Sequence, residues 1–363
     1  RLSRRHPQRS CSLTGLRVRA PQVGEGDKIV PLWRNLWDLH EAWGSYPGTQ
    51  DAAIYRALAR RIDDESALRR GFPLLRRSGE NGGHIHLIAE RDGEIVGQVE
   101  GWVEANGVDP RTPITCEIRS LIVAETVRGG GVGHALLEEL AAVAGTVAPR
   151  IFAVAEVLAE NPFRPFYRRE GYAPVGWTLR YAPVSAETPE TARRTIQTKL
   201  HVRRARASDG FSAALLETVL AMRRRSVRDL RFDPPRTPDA AQIDALSTYL
   251  AARERLSEAA PPLDWIVEDA HGVRGQATFA LLPLEAPFLT GQRAVLGRIA
   301  FDPAGDPALL LPPLLARAVE RAHAFGAKWL ELCDFSAPGT PLYEAARALG
   351  ATPWSSVMGK RVC

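Results

Sequence analysis

Residues 121–137, LIVAETVRGGGVGHALL, decide how the rest of the chain is read. An apolar strand, Leu121-Ile122-Val123, runs into Arg128-Gly129-Gly130-Gly131-Val132-Gly133, and a helix begins beside His134 with nothing bulky in its first turn. Such a loop offers several backbone N–H groups at a helix N-terminus, where unpaired donors and the helix dipole favour a phosphate. Glycine is needed where the backbone must approach a ligand closely or take positive φ. The run lacks the Gly-Lys-Ser/Thr ending of a Walker A loop, and it is not the G-x-G-x-x-G dinucleotide fingerprint.

Working outward, the periodicity predicts strands and helices on both sides of the loop. LRVRA from Leu16 alternates as a strand, and Ile29, Leu32, Trp33, Leu36 and Trp37 recur at helical spacing. A second helix over 49–70 follows the breaker run GSYPG. HIHLIAERDG and EIVGQVEGWVEA alternate and meet at Asp92-Gly93, a strong hairpin signal. Strand ITCEIRSLIVA leads into the loop, and strand RIFAVAEVL, helix FRPFYRREG and strand APVGWTLRYAPV follow its helix. The order is β-α-α-β-β-β-α-β-α-β.

The same order then recurs. Residues 185–198 are polar and lack apolar periodicity, which marks a linker. Beyond it, residues match at a fixed offset of 178: Ile88 with Ile266, Glu90 with Glu268, Gly97-Gln98 with Gly275-Gln276, and Leu136-Leu137 with Leu314-Leu315. This is the signature of an internal duplication. The expected division is a flexible basic tail (1–15), a complete copy (16–184), the linker (185–198) and a second copy (199–363).

Arg128-x-x-Gly131-x-Gly133 after Leu121-x-Val123 resembles the acetyl-CoA pyrophosphate loop of the GNAT acetyltransferase superfamily. Asn161 through Phe166-Tyr167-x-x-x-Gly171-Tyr172 resembles that superfamily's next helix. The resemblance covers 16–184 with full motifs and the second copy by element order alone. It implies an α/β fold of two tandem GNAT-like domains, each a mixed, mostly antiparallel sheet flanked by helices, with acetyl-CoA as co-substrate. It also implies that amides from Arg128 and Gly129 through Gly130, Gly131, Val132, Gly133 and His134 hold the pyrophosphate. The strand at Leu121, Ile122 and Val123 would pair with the pantetheine arm, and Asn161 would lie beside it.

Transfer from a thioester to an amine needs a proton acceptor, a polarised carbonyl and a proton for the departing thiolate. Strand alternation puts Glu117 on one face with Arg119 and Leu121. By the resemblance Glu117 is the candidate base, acting directly or through water; the other reading is a carboxylate paired with a nearby arginine. Tyr167 matches the residue that protonates the CoA sulfur in many members, the other reading being core packing. Trp43 and Tyr46 are candidates to border an acceptor pocket, and Glu41, Glu100 and Glu104 to attract an ammonium group, the other reading of the three acids being a solvated face. His84 and His86 alternate on one strand without a third ligand in pattern, so no metal site is expected. Cys116 should face away from Glu117.

In the second copy the offset sets Val295 against Glu117, Asp306 against Arg128, Leu309 against Gly131, Leu311 against Gly133 and Pro312 against His134. A carboxylate would repel pyrophosphate and proline donates no N–H, so one active site per chain is expected. Tandem architecture of this kind resembles mycothiol synthase and certain antibiotic-modifying acetyltransferases.

Composition bounds the remaining choices. The 363 residues carry a net charge of +5 and are 45% hydrophobic, ordinary for a globular protein. Arg1, Arg4, Arg5 and Arg9 supply four of those five charges from one decade without an acid, which argues against a nucleic-acid-binding face. No uncharged run reaches the ~18–20 residues of a membrane span. Four isolated cysteines point to a reducing, cytoplasmic setting. The expected activity is N-acetylation of a small-molecule amine by a monomer or homodimer. The competing classes are a non-catalytic acyl-CoA sensor and an assembly-line acyltransferase or decarboxylase acting on a carrier-bound acyl group. Removal of 199–363 is expected to spare CoA binding and abolish transfer.

Overall fold

The structure, a computed structural model, describes residues 15–43, 52–76, 83–104, 114–147, 151–181, 200–224, 240–254, 262–284, 291–335 and 337–362. Tyr46, the linker 185–198 and nearly all of the basic tail lie outside these residues. Contacts divide the chain into two compact units: Arg1–Glu104 with Ile114–Ala153 and Arg361–Cys363, and Ala105–Pro113 with Val154–Lys360.

The first unit follows the expected order: β1 (Leu16–Arg19), α1 (Gly26–Ala42), α2 (Ala52–Arg69), β2 (Leu74–Arg76), β3 (Gly83–Arg91), β4 (Glu94–Glu104), β5 (Ile114–Val123) and α3 (Val132–Gly145). The three-residue β2 is too short to show a period, and the sequence reading missed it. β1, β3, β4 and β5 run side by side, antiparallel, and β2 pairs with β3. The β3–β4 turn is built by Asp92 (φ 54°) and Gly93 (φ 83°), both in the left-handed region that a two-residue hairpin demands. α3 lies close against β4, where a Cβ at Gly101 would meet Leu140 Cδ1 at 2.8 Å and Cys116 Sγ at 2.9 Å. Cys116 is therefore sealed beneath α3, with no exposure.

The second unit contains β6 (Ile151–Leu158) from Val154 onward, α4 (Arg164–Arg169), β7 (Ala173–Tyr181), β8 (His201–Arg204), α5 (Ala213–Arg224), α6 (Ala240–Glu254), β9 (Leu263–Asp269), β10 (Gly272–Pro283), β11 (Gln292–Phe301), α7 (Pro307–Ala324), β12 (Leu330–Phe335), α8 (Pro341–Ala348) and β13 (Thr352–Arg361). Its strand order is β6-β13-β7-β12-β11-β10-β9-β8. The β11–β12 pair is parallel; β7 pairs antiparallel with both β12 and β13. Leu179, Leu263, Phe279, Leu296, Leu314 and Leu332 form the core under α7 and α8. Leu215, Val219, Leu246, Leu250 and Ile266 form another, under α5 and α6.

The two copies exchange their last strands. β7 belongs by sequence to the first repeat, yet it sits between β13 and β12, while β13 occupies the place beside β6. Arg180 on β7 locks the arrangement: it stacks over the rings of Trp329 and, on β13, Trp354, and its Nη2 lies 3.6 Å from Glu331 on β12. Glu331 is 1% exposed and also receives Arg293 Nη1 at 2.6 Å and Trp329 Nε1 at 2.8 Å. Removing one partner of a buried cluster of this kind costs about 3–5 kcal/mol, because the remaining charge is left uncompensated.

The same side-chain network occurs once in each unit. Arg19 on β1 donates to Glu25, to Glu90 and to the Ala20 carbonyl. Arg203 on β8 donates in the same manner to Asp209, Glu268 and the Arg204 carbonyl.

Candidate active site

The glycine loop is braced by its own arginines. Arg128 Nε donates to the Val123 carbonyl at 3.0 Å, and Arg91 Nη2 reaches the Gly130 carbonyl at 3.5 Å. Arg128 thus folds back on the end of β5 and shapes the loop. A short 3₁₀ turn, Glu125–Val127, carries the chain to Gly129 (φ 82°) and Gly131 (φ 77°), conformations that a side chain strains. Gly131 is the N-cap of α3. It supplies no side-chain cap, and the first turn holds no acidic residue. The first intrahelical bond, Ala135 N to Gly131 O at 3.0 Å, leaves the amides of Val132, Gly133 and His134 without intrahelical acceptors. His134 itself is half exposed and lies 3.3 Å from Glu138, a surface position.

The strand before the loop corrects one expectation. Glu100 pairs with Ser120 but Gly101 pairs with Ile118, so Arg119 is the extra residue of a β-bulge. Beyond it the alternation slips by one. Glu117 stands opposite Trp102, and Ser120 opposite Glu100, on one face; Cys116, Ile118 and Leu121 belong to the other, under α3. Glu117 therefore does not share a face with Leu121, although it does face away from Cys116 as expected. Its carboxylate is 37% exposed and lies 3.2 Å from Arg119 Nη2. An exposed pair of that kind contributes ~0–1 kcal/mol and can yield to a substrate. Leu121, Ile122 and Val123 pair with Val99, Gln98 and Gly97.

The Glu117 face holds a buried polar cluster that the sequence marks only as alternating His84, His86 and Glu100. Glu100 is 3% exposed, accepts Arg61 Nη2 at 3.2 Å and lies 3.8 Å and 3.7 Å from His84 Nε2 and His86 Nδ1. His84 stacks on Trp102 at 4.6 Å and meets Arg69 Nη2 at 2.6 Å and Glu65 at 3.0 Å. Burial raises the Glu65 carboxyl, but the His84 hydrogen bond and the charges of His84, Arg61 and Arg69 outweigh it and hold the group down at about 2. Burial pushes the His86 imidazole down to about 4 against the opposing pull of Glu100, so it is neutral near pH 7. Among the described residues no group of three or more His, Cys, Asp or Glu is placed to hold a metal ion.

Tyr167 and Asn161 belong to the second unit. Tyr167, on α4, is 9% exposed and meets Phe166 and Tyr172 edge-on at 5.4 Å and 5.8 Å. Burial pushes its phenol up to about 12, keeping the proton in place at neutral pH. Asn161 Oδ1 accepts from Phe163 N at 2.8 Å, an Asx turn that starts α4. That acceptor is committed to local structure.

The second copy closes what the first leaves open. At α7 the Asp306 side chain caps the helix, accepting from Ala308 N at 2.9 Å, with Pro307 at the first helical position. A carboxylate already occupies the place where an anion would bind.

Residues 82–174 match the family model for the acetyltransferase (GNAT) domain. Among solved structures, the chain is similar to a GCN5-related N-acetyltransferase from Sphaerobacter thermophilus, at 16% identity and TM-score 0.51 over 96% of each chain. It is also similar to a GCN5-related glucosamine N-acetyltransferase region of a fungal multi-domain GH3 beta-N-acetylglucosaminidase, at 14% identity and TM-score 0.51 over 95% of this chain and 38% of that one. A tandem GNAT protein from the clavulanic acid biosynthesis pathway aligns over 96% and 99% of the two chains at 14% identity and TM-score 0.46. No curated protein matches the sequence. The shared property is the fold: a mostly antiparallel mixed sheet flanked by helices.

Proposed function

We propose that this chain, whose residues 82–174 match the family model for the acetyltransferase (GNAT) domain, is an acetyl-CoA-dependent N-acyltransferase for a small-molecule amine, with one working site. The observation that carries this reading is the contrast between the two helix starts. The α3 N-terminus is uncapped, free of acid and reached through Gly129 and Gly131 at positive φ, whereas α7 is capped by Asp306. Amides of Gly131 to His134 would bind the pyrophosphate, with Arg128 holding the loop that presents them. Bound acetyl-CoA would supply the activated acyl group. Leu121, Ile122 and Val123 would pair with the pantetheine arm; for Asn161 the side-chain NH2 group remains for that purpose, since its backbone N–H donates to the Leu158 carbonyl at 3.2 Å and its own backbone carbonyl accepts from Arg164 N at 3.3 Å.

Direct attack then needs only proton bookkeeping from this chain. Glu117, exposed enough to reach an amine or a water, would accept the ammonium proton. Tyr167, protonated at working pH, would deliver its phenolic proton to the leaving thiolate. Isolated cysteines, with Cys116 buried, support a reducing cytoplasmic setting. The test is release of free thiol from acetyl-CoA against a panel of amines. Tyr167→Phe should lower kcat by roughly 10 to 10⁴-fold while keeping CoA affinity, and Glu117→Gln should flatten the alkaline rise of the rate profile. CoA binding with no turnover on any amine would instead favour the acyl-CoA sensor.

A further inference from the structure

The second unit holds a cavity of about 170 Å³ between β8, β9 and α7, lined by Val202, Arg203, Arg204, Leu263, Trp265, Arg317 and Arg321. Strand alternation sorts the arginines. Arg204 pairs with Trp265 and so faces α7, whereas Arg203 pairs with Ile266 on the opposite face, where Asp209 and Glu268 engage it. Arg317 and Arg321 are one turn apart on α7 and point to the same side. Three guanidinium groups thus surround a cavity whose floor is Leu263 and Trp265, buried at 1% and 2% exposure. Among the described residues that line it, none is acidic. The Glu320 partner of Arg317 is a surface contact, 62% exposed, of the kind that contributes ~0–1 kcal/mol.

The duplication shows that this charge is not an inherited part of the fold. Arg203 pairs with Ile266 as Arg19 pairs with Ile88, so Arg204 corresponds to Ala20. Through the offset of 178, Arg317 corresponds to Glu139, Arg321 to Val143, Leu263 to Ile85 and Trp265 to Leu87. The apolar floor is common to both copies, and all three cations are confined to the second. A folded core does not require them, since the first copy builds the same corner with alanine, glutamate and valine.

The geometry points to a binding site for a small organic dianion, a phosphate monoester or a dicarboxylate, with a short apolar body lying on Leu263 and Trp265. Guanidinium groups suit such headgroups because they donate paired, charge-assisted hydrogen bonds. This site is separate from the α3 loop and does not rest on the proposed transferase activity.

Calorimetric titration of the full chain with phenyl phosphate and with phthalate tests it, with benzyl alcohol as the uncharged control. At least one dianion should bind at about 1 mM or tighter and weaken as salt is raised, while the alcohol should not bind. Arg321→Val and Arg204→Ala, which install first-copy residues, should each weaken binding roughly tenfold or more, whereas Gly131→Asp should leave it unchanged. Phenyl phosphate responding and phthalate not would identify the headgroup as phosphate; the reverse would identify a dicarboxylate. Binding that survives both arginine replacements, binding lost with Gly131→Asp, or no binding by either dianion would overturn the inference.

Discussion

Burial of the His86 imidazole beside Glu100, His84 and Arg69 makes stability depend on pH in a defined direction. Its folded pKa of about 4 lies below the ordinary 6.5. Above pH 6.5 both folded and unfolded chains hold it neutral, and its contribution is fully present. Between 6.5 and 4 the unfolded chain takes up a proton that the folded chain refuses, so stability falls, by an amount on the order of 3 kcal/mol once the pH is below 4. Urea unfolding followed across that window should show the loss, and His86→Asn should shallow it; an identical slope in the variant would remove His86 as its source. The histidines were legible as an alternating pair. Their isolation from water was not, because that depends on α2 bringing Arg61, Glu65 and Arg69 over the strand. Glu117 shows the same limit: its type and position are readable, but a one-residue bulge at Arg119 decides which face it occupies.

At the scale of the element, the decisive contrast is between α3 and α7. Both are readable as helices from apolar spacing, and Asp306 and Pro312 mark the second as the one not expected to bind an anion. Gly131→Asp should remove CoA binding, since a negative charge at the N-cap competes with pyrophosphate for the same amides; calorimetry that finds wild-type affinity in this variant would refute the loop assignment. Titration of the intact chain should give one CoA per chain. Gly305, just ahead of the α7 cap, is tightly packed. A Cβ there would meet Leu310 Cδ1 at 2.6 Å and the Asp302 carbonyl at 3.1 Å, so Gly305→Asp is expected to lower the melting temperature. Asp306→Asn, which keeps the cap's acceptor and loses its charge, is the cleaner control and should leave CoA stoichiometry at one.

For the molecule as a whole, strand exchange changes what truncation means. A chain ending at residue 198 retains β6 and β7 but loses β13, which lies between them, and β12, on the other side of β7. It also loses Glu331, the partner of Arg180. Two long strands would present unpaired edges, the usual template for aggregation. Residues 1–198 should therefore precipitate or elute as large assemblies. CoA binding with full-length affinity by a soluble monomer of this fragment would show that the exchange is not needed for folding. Adding residues 199–363 as a separate chain during refolding should restore solubility, because it returns both missing strands.

Element order, the duplication and the glycine loop were determined by the sequence itself, since each rests on local properties: period, turn chemistry at Asp92-Gly93, and the absence of side chains at Gly129 to Gly131. Tertiary structure alone decided which strands become neighbours, which face Glu117 takes, and that Arg204, Arg317 and Arg321 meet around one cavity. Those outcomes depend on pairing energies between segments far apart in the chain, and for β7 the partners β12 and β13 lie more than 140 residues away. Alternation along a single strand carries no record of a bulge induced by its partner, and no record of which of two equally apolar strands fills the gap beside it.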